Sequence, residues 1–156
     1  MLVWIIRHGK AEQQSVSGSD FDRELRGRGR RQAQWLAGQF EAREDAPGRV
    51  ISSPAARARQ TGEIVSAALG VEIDFDDRLL VDEPAGALVD LLEEVAAGGA
   101  ASVALVGHNP QLSALASALG DDAVSLRTGQ AALLDLPGEI EPGAGAIVEL
   151  LRLEEG

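Results

Sequence analysis

The chain has 156 residues, 45% apolar and 25% charged, which fits a single soluble globular domain, 1–156, with room for a sizeable core. It has no cysteine and only two histidines, which removes disulfides and thiolate metal sites, disfavours a histidine-rich zinc centre and leaves only carboxylate-bound magnesium open on composition. The net charge of −11 argues against bulk nucleic-acid binding, but it is uneven: residues 1–60 hold 11 Lys/Arg against 7 Asp/Glu, whereas residues 61–156 hold 3 against 18.

Short apolar runs alternate with longer helical patterns. Residues 2–6, "LVWII", form the first strand candidate and run directly into Arg7-His8-Gly9. Residues 17–24, "SGSDFDRE", read as a polar loop. From 25 to 43, Ala33, Leu36, Ala37 and Phe40 recur at helical spacing until "DAPG" breaks the pattern. Residues 49–52 form a second short strand. Pro54 then suits the first turn of a helix running to Leu69, with Ser53 as its N-cap and Gly70 as its C-cap.

"VEIDF", residues 71–75, alternates as a strand does, and residues 85–97 read as a helix ended by Gly98-Gly99. Residues 101–106 make a fourth strand, which leads into Gly107-His108-Asn109 and a helix over 110–119. Two further apolar runs, "AALLDL" and "AIVELLRL", are spaced as a hairpin or as edge strands. Alternating strands and helices predict an α/β fold: three layers, with a mainly parallel central sheet flanked by helices. Five apolar residues between Met1 and Arg7 are too few for a signal-peptide core, and no segment approaches the roughly 18 continuous apolar residues of a membrane span. The expectation is a cytoplasmic protein with no membrane or nucleic-acid partner.

Ligands of such sheets collect beyond the carboxyl ends of the strands. Arg7-His8-Gly9, "SSPAAR" and Gly107-His108-Asn109 each follow a strand, so His8, His108, Arg7 and Arg57 are expected around one crevice. Guanidiniums match phosphoryl oxygens with planar forks, and an imidazole can serve as nucleophile, acid or base near neutrality. The first turn of the helix after Ser53 adds backbone N–H groups. This is an anion site containing a reactive nitrogen, suited to phosphoryl transfer through a phosphohistidine. Arg59, two positions beyond Arg57 on a helix, is expected to turn away. The arginine run at 26–31 has no aromatic residue for base stacking and reads as a solvated helix start, with a docking edge for an acidic partner as a weaker reading.

"RHG" after the first strand, "SSPAARARQT" in the next strand–helix unit, "LRGRGRRQA" at 25–33 and the late "GHNP" together resemble the histidine phosphatase superfamily, with its phosphoglycerate mutase-like fold. The match runs in order along nearly the whole chain. Its short length is most similar to SixA-type phosphohistidine phosphatases, which act on histidine-phosphotransfer proteins. The resemblance implies that His8 is the nucleophile, that Arg7, Arg57 and His108 grip the phosphoryl group, and that Gly9 and Gly107 allow close backbone approach. Ser15 is a further candidate phosphate contact. Larger relatives carry a carboxylate that protonates an alkoxide leaving group, and Asp82 and Glu83 are the candidates for it here. A phosphohistidine needs less such help, because imidazole is a far less basic leaving group. The scheme requires no metal and no cofactor. A small-molecule phosphomonoesterase of the same fold is the alternative, and a phosphate-ligand binding module without turnover is the third reading.

Overall fold

A computed structural model describes residues 1–154. In chain order the elements are β1 (Leu2–Arg7), α1 (Gly27–Glu41), β2 (Val50–Ser52), α2 (Ala56–Leu69), β3 (Ile73–Phe75), a 3-10 turn (Asp77–Leu79), α3 (Ala85–Ala97), β4 (Ser102–Gly107), α4 (Gln111–Leu119), β5 (Ala131–Asp135) and β6 (Ala146–Leu151). They build one six-stranded sheet in the order β3-β2-β4-β1-β5-β6. The strands β3, β2, β4 and β1 are mutually parallel, whereas β5 runs antiparallel to both β1 and β6. The sheet is therefore mixed. The two apolar runs of the tail do form an antiparallel pair, but β5 is inserted beside β1 and only β6 lies at the edge.

Alternation along β1 decides which layer each residue supports. Val3 and Ile5 join Val103 and Leu105 of β4 under Leu88 and Leu92 of α3 and Leu112 and Leu115 of α4. Trp4 and Ile6 join Ala104 and Val106 on the opposite face, under Leu36 and Phe40 of α1 and Ala58 and Val65 of α2. Because both faces are covered, the central strands carry unbroken apolar runs, Leu2 to Ile6 in β1 and Val103 to Val106 in β4, rather than an apolar residue at every second position. Trp4 packs on Phe40 with ring centroids 4.8 Å apart and donates its indole N–H to the Asp45 carbonyl, at 2.8 Å. Truncating Leu88 or Leu92 to alanine would cost about 2–5 kcal/mol, the range for cavities in such cores.

Two helix starts differ from the sequence reading. Helix α1 begins at Gly27 rather than 25, because Leu25 is extended and bridges Ala11 across the entering loop. Helix α2 begins at Ala56, capped by the backbone of Ala55, so Ser53 is not its N-cap. Gly70 does end α2 in the left-handed conformation, at φ 65°. No helix among the described residues is long and apolar enough to cross a membrane.

Candidate active site

Strand register brings the candidate residues together. Arg7 pairs with Gly107 and Ser52 with Val106, so β1, β4 and β2 stop at one level and release their chains into the same space. The His8 N–H donates to the Gly107 carbonyl at 3.1 Å, and the Ser53 N–H to the Val106 carbonyl at 2.8 Å. The His8 and His108 rings consequently lie side by side, 5.2 Å between centroids and tilted by 59°. Arg57 reaches the same place from the first turn of α2.

Gly9 and Gly107 let chain approach chain. A Cβ on Gly9 would stand 2.5 Å from the Gly29 carbonyl oxygen, and one on Gly107 would stand 3.2 Å from the Leu79 carbonyl oxygen. The close approach at these glycines is to protein backbone. The Gly9 N–H donates to Thr61 Oγ1 at 3.1 Å, and that hydroxyl donates to the Arg57 carbonyl at 2.8 Å, which ties the loop after β1 to α2. Gln32, the buried glutamine of α1, accepts from the Lys10 N–H at 2.9 Å.

The two histidines are tethered through opposite ring nitrogens. His8 Nδ1 lies 2.7 Å from the Gly9 carbonyl oxygen. A carbonyl only accepts, so Nδ1 carries the proton and Nε2 keeps its lone pair. Burial, then the charges of Arg57, Arg7 and Arg23, push His8 down to about 4, against the pull of the Gly9 carbonyl. His108 Nε2 lies 2.9 Å from Ser53 Oγ, while its enclosed Nδ1 has no hydrogen-bond partner. Burial, then the neighbouring His8, Arg57 and Arg7, push His108 down to about 3, opposed by Asp20. Both rings are therefore neutral near pH 7. The Ser53 hydroxyl can either donate to Nε2 or accept from it, and when it donates His108 carries its N–H on Nδ1.

The arginines are held by acceptors around the cleft. Arg7 Nη1 donates to the Leu126 carbonyl at 3.1 Å, and its buried Nε is unpaired. Arg57 is only 4% exposed, with Nη1 donating to the Asp20 carbonyl at 2.8 Å and Nη2 to Asp20 Oδ2 at 3.0 Å. Together with His8 and His108 they line a cleft of about 260 Å³. Two neutral imidazoles, one with a free lone pair and one with a spare donor, beside two guanidiniums can accept a phosphoryl group on nitrogen and stabilise its oxygens. Among the described residues, no group of three or more His, Asp or Glu is arranged to hold a metal ion.

The family model for the histidine phosphatase superfamily (branch 1) matches residues 3–80, half of the chain. The chain belongs to that superfamily. This histidine phosphatase, a phosphatase by class, is 32% identical over 120 residues to an uncharacterized protein of Picosynechococcus sp. (strain ATCC 27264 / PCC 7002 / PR-6), covering 76% of this chain and 73% of the relative. Its fold is similar to the structure of the protein histidine phosphatase SixA complexed with tungstate, with TM-score 0.85, 24% identity and 97% of each chain covered. It is also similar to the putative phosphohistidine phosphatase SixA from Agrobacterium tumefaciens, with TM-score 0.79, 27% identity, and 96% of this chain and 97% of that one covered.

Of the residues singled out from the sequence of this histidine phosphatase, His8, Arg7, Arg57 and His108 share the cleft, which Lys10 lines as well. Ser15 does not join them: its hydroxyl donates to the Ser19 carbonyl at 2.7 Å, within its own loop. Asp82 and Glu83 do not line the cleft either. Val81 does, but the chain turns at Asp82, which is exposed with φ 75°, and the Glu83 N–H closes the turn on the Leu80 carbonyl. The N–H groups expected at the start of α2 are partly engaged: Ala55 donates to Ser53 Oγ and Ala56 to the Phe21 carbonyl. Arg59 turns away, as helical geometry requires, and pairs with Glu63. Arg23, Asn109 and Thr128 line the cleft without having been singled out. Asn109 follows His108 directly, a signal that was there to use. Arg23 and Thr128 lie in loops whose spacing carries no periodic signal.

Proposed function

We propose that this chain is a cytoplasmic, metal-independent phosphohistidine phosphatase, a single catalytic domain that removes the phosphoryl group from a phosphorylated protein histidine, with a histidine-phosphotransfer protein as the natural kind of substrate. The observation that carries this reading is the opposite tethering of two adjacent imidazoles: His8 with Nε2 free, His108 with Nδ1 unsatisfied. The likeness to two SixA phosphatases supports the substrate class.

In the first step His8 Nε2 attacks the substrate phosphorus and forms a new P–N bond. The P–N bond of the substrate breaks, and its electron pair stays on the departing imidazole, which takes a proton from water. The Gly9 carbonyl holds the Nδ1–H as positive charge develops on the His8 ring. Arg7, Arg57 and the Nδ1–H of His108 neutralise the equatorial oxygens. In the second step water attacks the phosphoenzyme, the bond to Nε2 breaks, and its electron pair returns to His8. Inorganic phosphate leaves with the oxygen and one proton of that water, and the other proton neutralises the hydroxide formed when the departing imidazole was protonated, so one water is consumed overall.

The leaving group follows from the acids at hand. Neither Asp82 nor Glu83 lines the cleft. Asp20 touches Arg57, yet it is a poor proton donor: partial burial raises its carboxyl, but the hydrogen bonds and charges of Arg57 and Arg23 outweigh this and hold it below the usual carboxylate range. A site without a protonated carboxyl suits an N–P bond better than a phosphate ester of an alcohol. Assaying a phosphohistidine peptide against sugar and nucleotide phosphates, with and without chelator, tests the proposal. Preferred hydrolysis of the peptide, unaffected by chelator, is expected. Good turnover of a small phosphomonoester with the peptide untouched would instead select the phosphomonoesterase reading.

A further inference from the structure

The loop between β1 and α1 contributes a charged pair that the four-residue site leaves unexplained. Asp20 stands between two guanidiniums: Oδ2 accepts from Arg57 Nη2 at 3.0 Å, and Oδ1 accepts from Arg23 Nη1 at 2.8 Å. Its backbone carbonyl takes Arg57 Nη1 as well, at 2.8 Å. Arg23 is braced a second time, through Nε to the Glu12 carbonyl at 2.8 Å. Both arginines line the cleft that holds His8 and His108, whereas Asp20 lines the adjoining hollow formed by Gln13, Ser15 and Ser19. The carboxylate therefore lies behind the two guanidiniums and not between them and the cleft.

On that placement, and given the reading of the cleft as a phosphoryl site, we infer that Arg23 is a third phosphoryl-binding cation and that Asp20 is the positioning residue that aims Arg23 and Arg57 together at the phosphoryl oxygens. Donor capacity agrees. Each η nitrogen carries two hydrogens, so Arg57 keeps one on Nη1 and one on Nη2 after serving Asp20. Arg23 keeps one on Nη1 and both on Nη2. Charge agrees too. A phosphoryl dianion and the Asp20 carboxylate together match the three guanidiniums of Arg7, Arg23 and Arg57, with Lys10 as a further cation lining the cleft. The same carboxylate offsets the repulsion between Arg23 and Arg57, which keeps them from splaying apart.

Asp20→Asn and Asp20→Ala, Arg23→Ala and Arg23→Lys, and the double Asp20→Ala/Arg23→Ala test this, with inorganic phosphate affinity measured beside kcat and KM on a phosphohistidine peptide. Each single variant is expected to weaken phosphate binding and raise KM about tenfold, as for loss of a charge-assisted contact. Chemistry at His8 should be less affected, so kcat falls less than KM rises. The double variant is expected to lose little more than the worse single one, because both act through one bridge.

Phosphate binding by Asp20→Ala that equals or exceeds wild type would show that the carboxylate competes with the ligand rather than aiming the arginines. Wild-type KM in Arg23→Ala would remove the third cation, and wild-type behaviour of Arg23→Lys would show that charge without the bridge suffices. These failures are separable from failure of the phosphatase reading. That failure would appear in the wild-type protein, as absent turnover and no phosphoenzyme, before any of these variants is compared.

Discussion

The ends of β1 and β4 place the same residue type at matched positions and give it opposite character. Both strands stop at a common level, both histidines follow at once, and both rings are buried and neutral. At the end of β1 the anchor is a backbone carbonyl, which fixes the Nδ1–H and leaves a lone pair on Nε2. At the end of β4 the anchor is the Ser53 hydroxyl on Nε2, which leaves Nδ1 enclosed and unsatisfied. A carbonyl can impose a tautomer, whereas a hydroxyl permits one. Neighbouring groups thus turn two identical side chains into a proposed nucleophile and a proposed donor.

That contrast breaks most visibly at His8. His8→Ala is expected to abolish phosphatase turnover, measured as phosphate release, because no other free imidazole nitrogen is positioned to take the phosphoryl group. His108→Ala is expected to lower kcat by about 10²–10³, the scale for loss of one donor to developing charge, while still forming a phosphoenzyme slowly. Equal losses in the two variants would erase the distinction between nucleophile and donor.

Ser53→Ala sharpens the comparison from the other side. With the hydroxyl gone, His108 Nε2 is buried without a partner and the ring loses its anchor. A fall in kcat of about tenfold is expected, in the range for loss of one buried hydrogen bond. Unchanged kcat would mean that the hydroxyl does not orient the ring.

The smallest expected effect is a titration. The ordinary histidine value is 6.5, and burial moves both rings far below it, to about 4 for His8 and about 3 for His108. An NMR titration of the free enzyme should show both rings neutral at pH 5.5, and inorganic phosphate should move both values upward by opposing the arginine field. The linked stability has a definite sign. A folded value below the unfolded one makes the unfolded chain bind protons first, so this stability is complete above pH 6.5 and drains as pH falls towards 4. Denaturation midpoints of wild type and His108→Asn over that window would reveal it as a shallower pH dependence in the variant.

Much of this comparison is legible in the sequence, because strand ends carry it. The runs "LVWII" and "SVALV" mark where β1 and β4 stop, and the residues that follow each run enter the cleft. Arg57 is legible for the same reason, through β2 and the turn into α2. Strand order is not, since insertion of β5 beside β1 depends on contacts between distant segments. Ser53 reads as an N-cap because its neighbours Pro54 and Ala55 favour a helix start. Only the register of β2 against β4 reveals that its hydroxyl belongs to His108. Asp82 and Glu83 stand outside the cleft for a local reason: the chain turns at Asp82, with its positive φ, directly after Val81, which lines it. Asp20 and Arg23 escape notice because an irregular loop has no period from which facing side chains can be inferred.

The most direct test is to quench the wild-type enzyme during turnover of a phosphohistidine peptide under alkaline conditions and locate the enzyme-bound phosphoryl group by mass spectrometry and phosphorus NMR. The phosphoryl group is predicted on His8, on Nε2, because Nδ1 is engaged by the Gly9 carbonyl. Its appearance on His108, or on Nδ1 of His8, would contradict the assignment of opposite roles to the two strand ends.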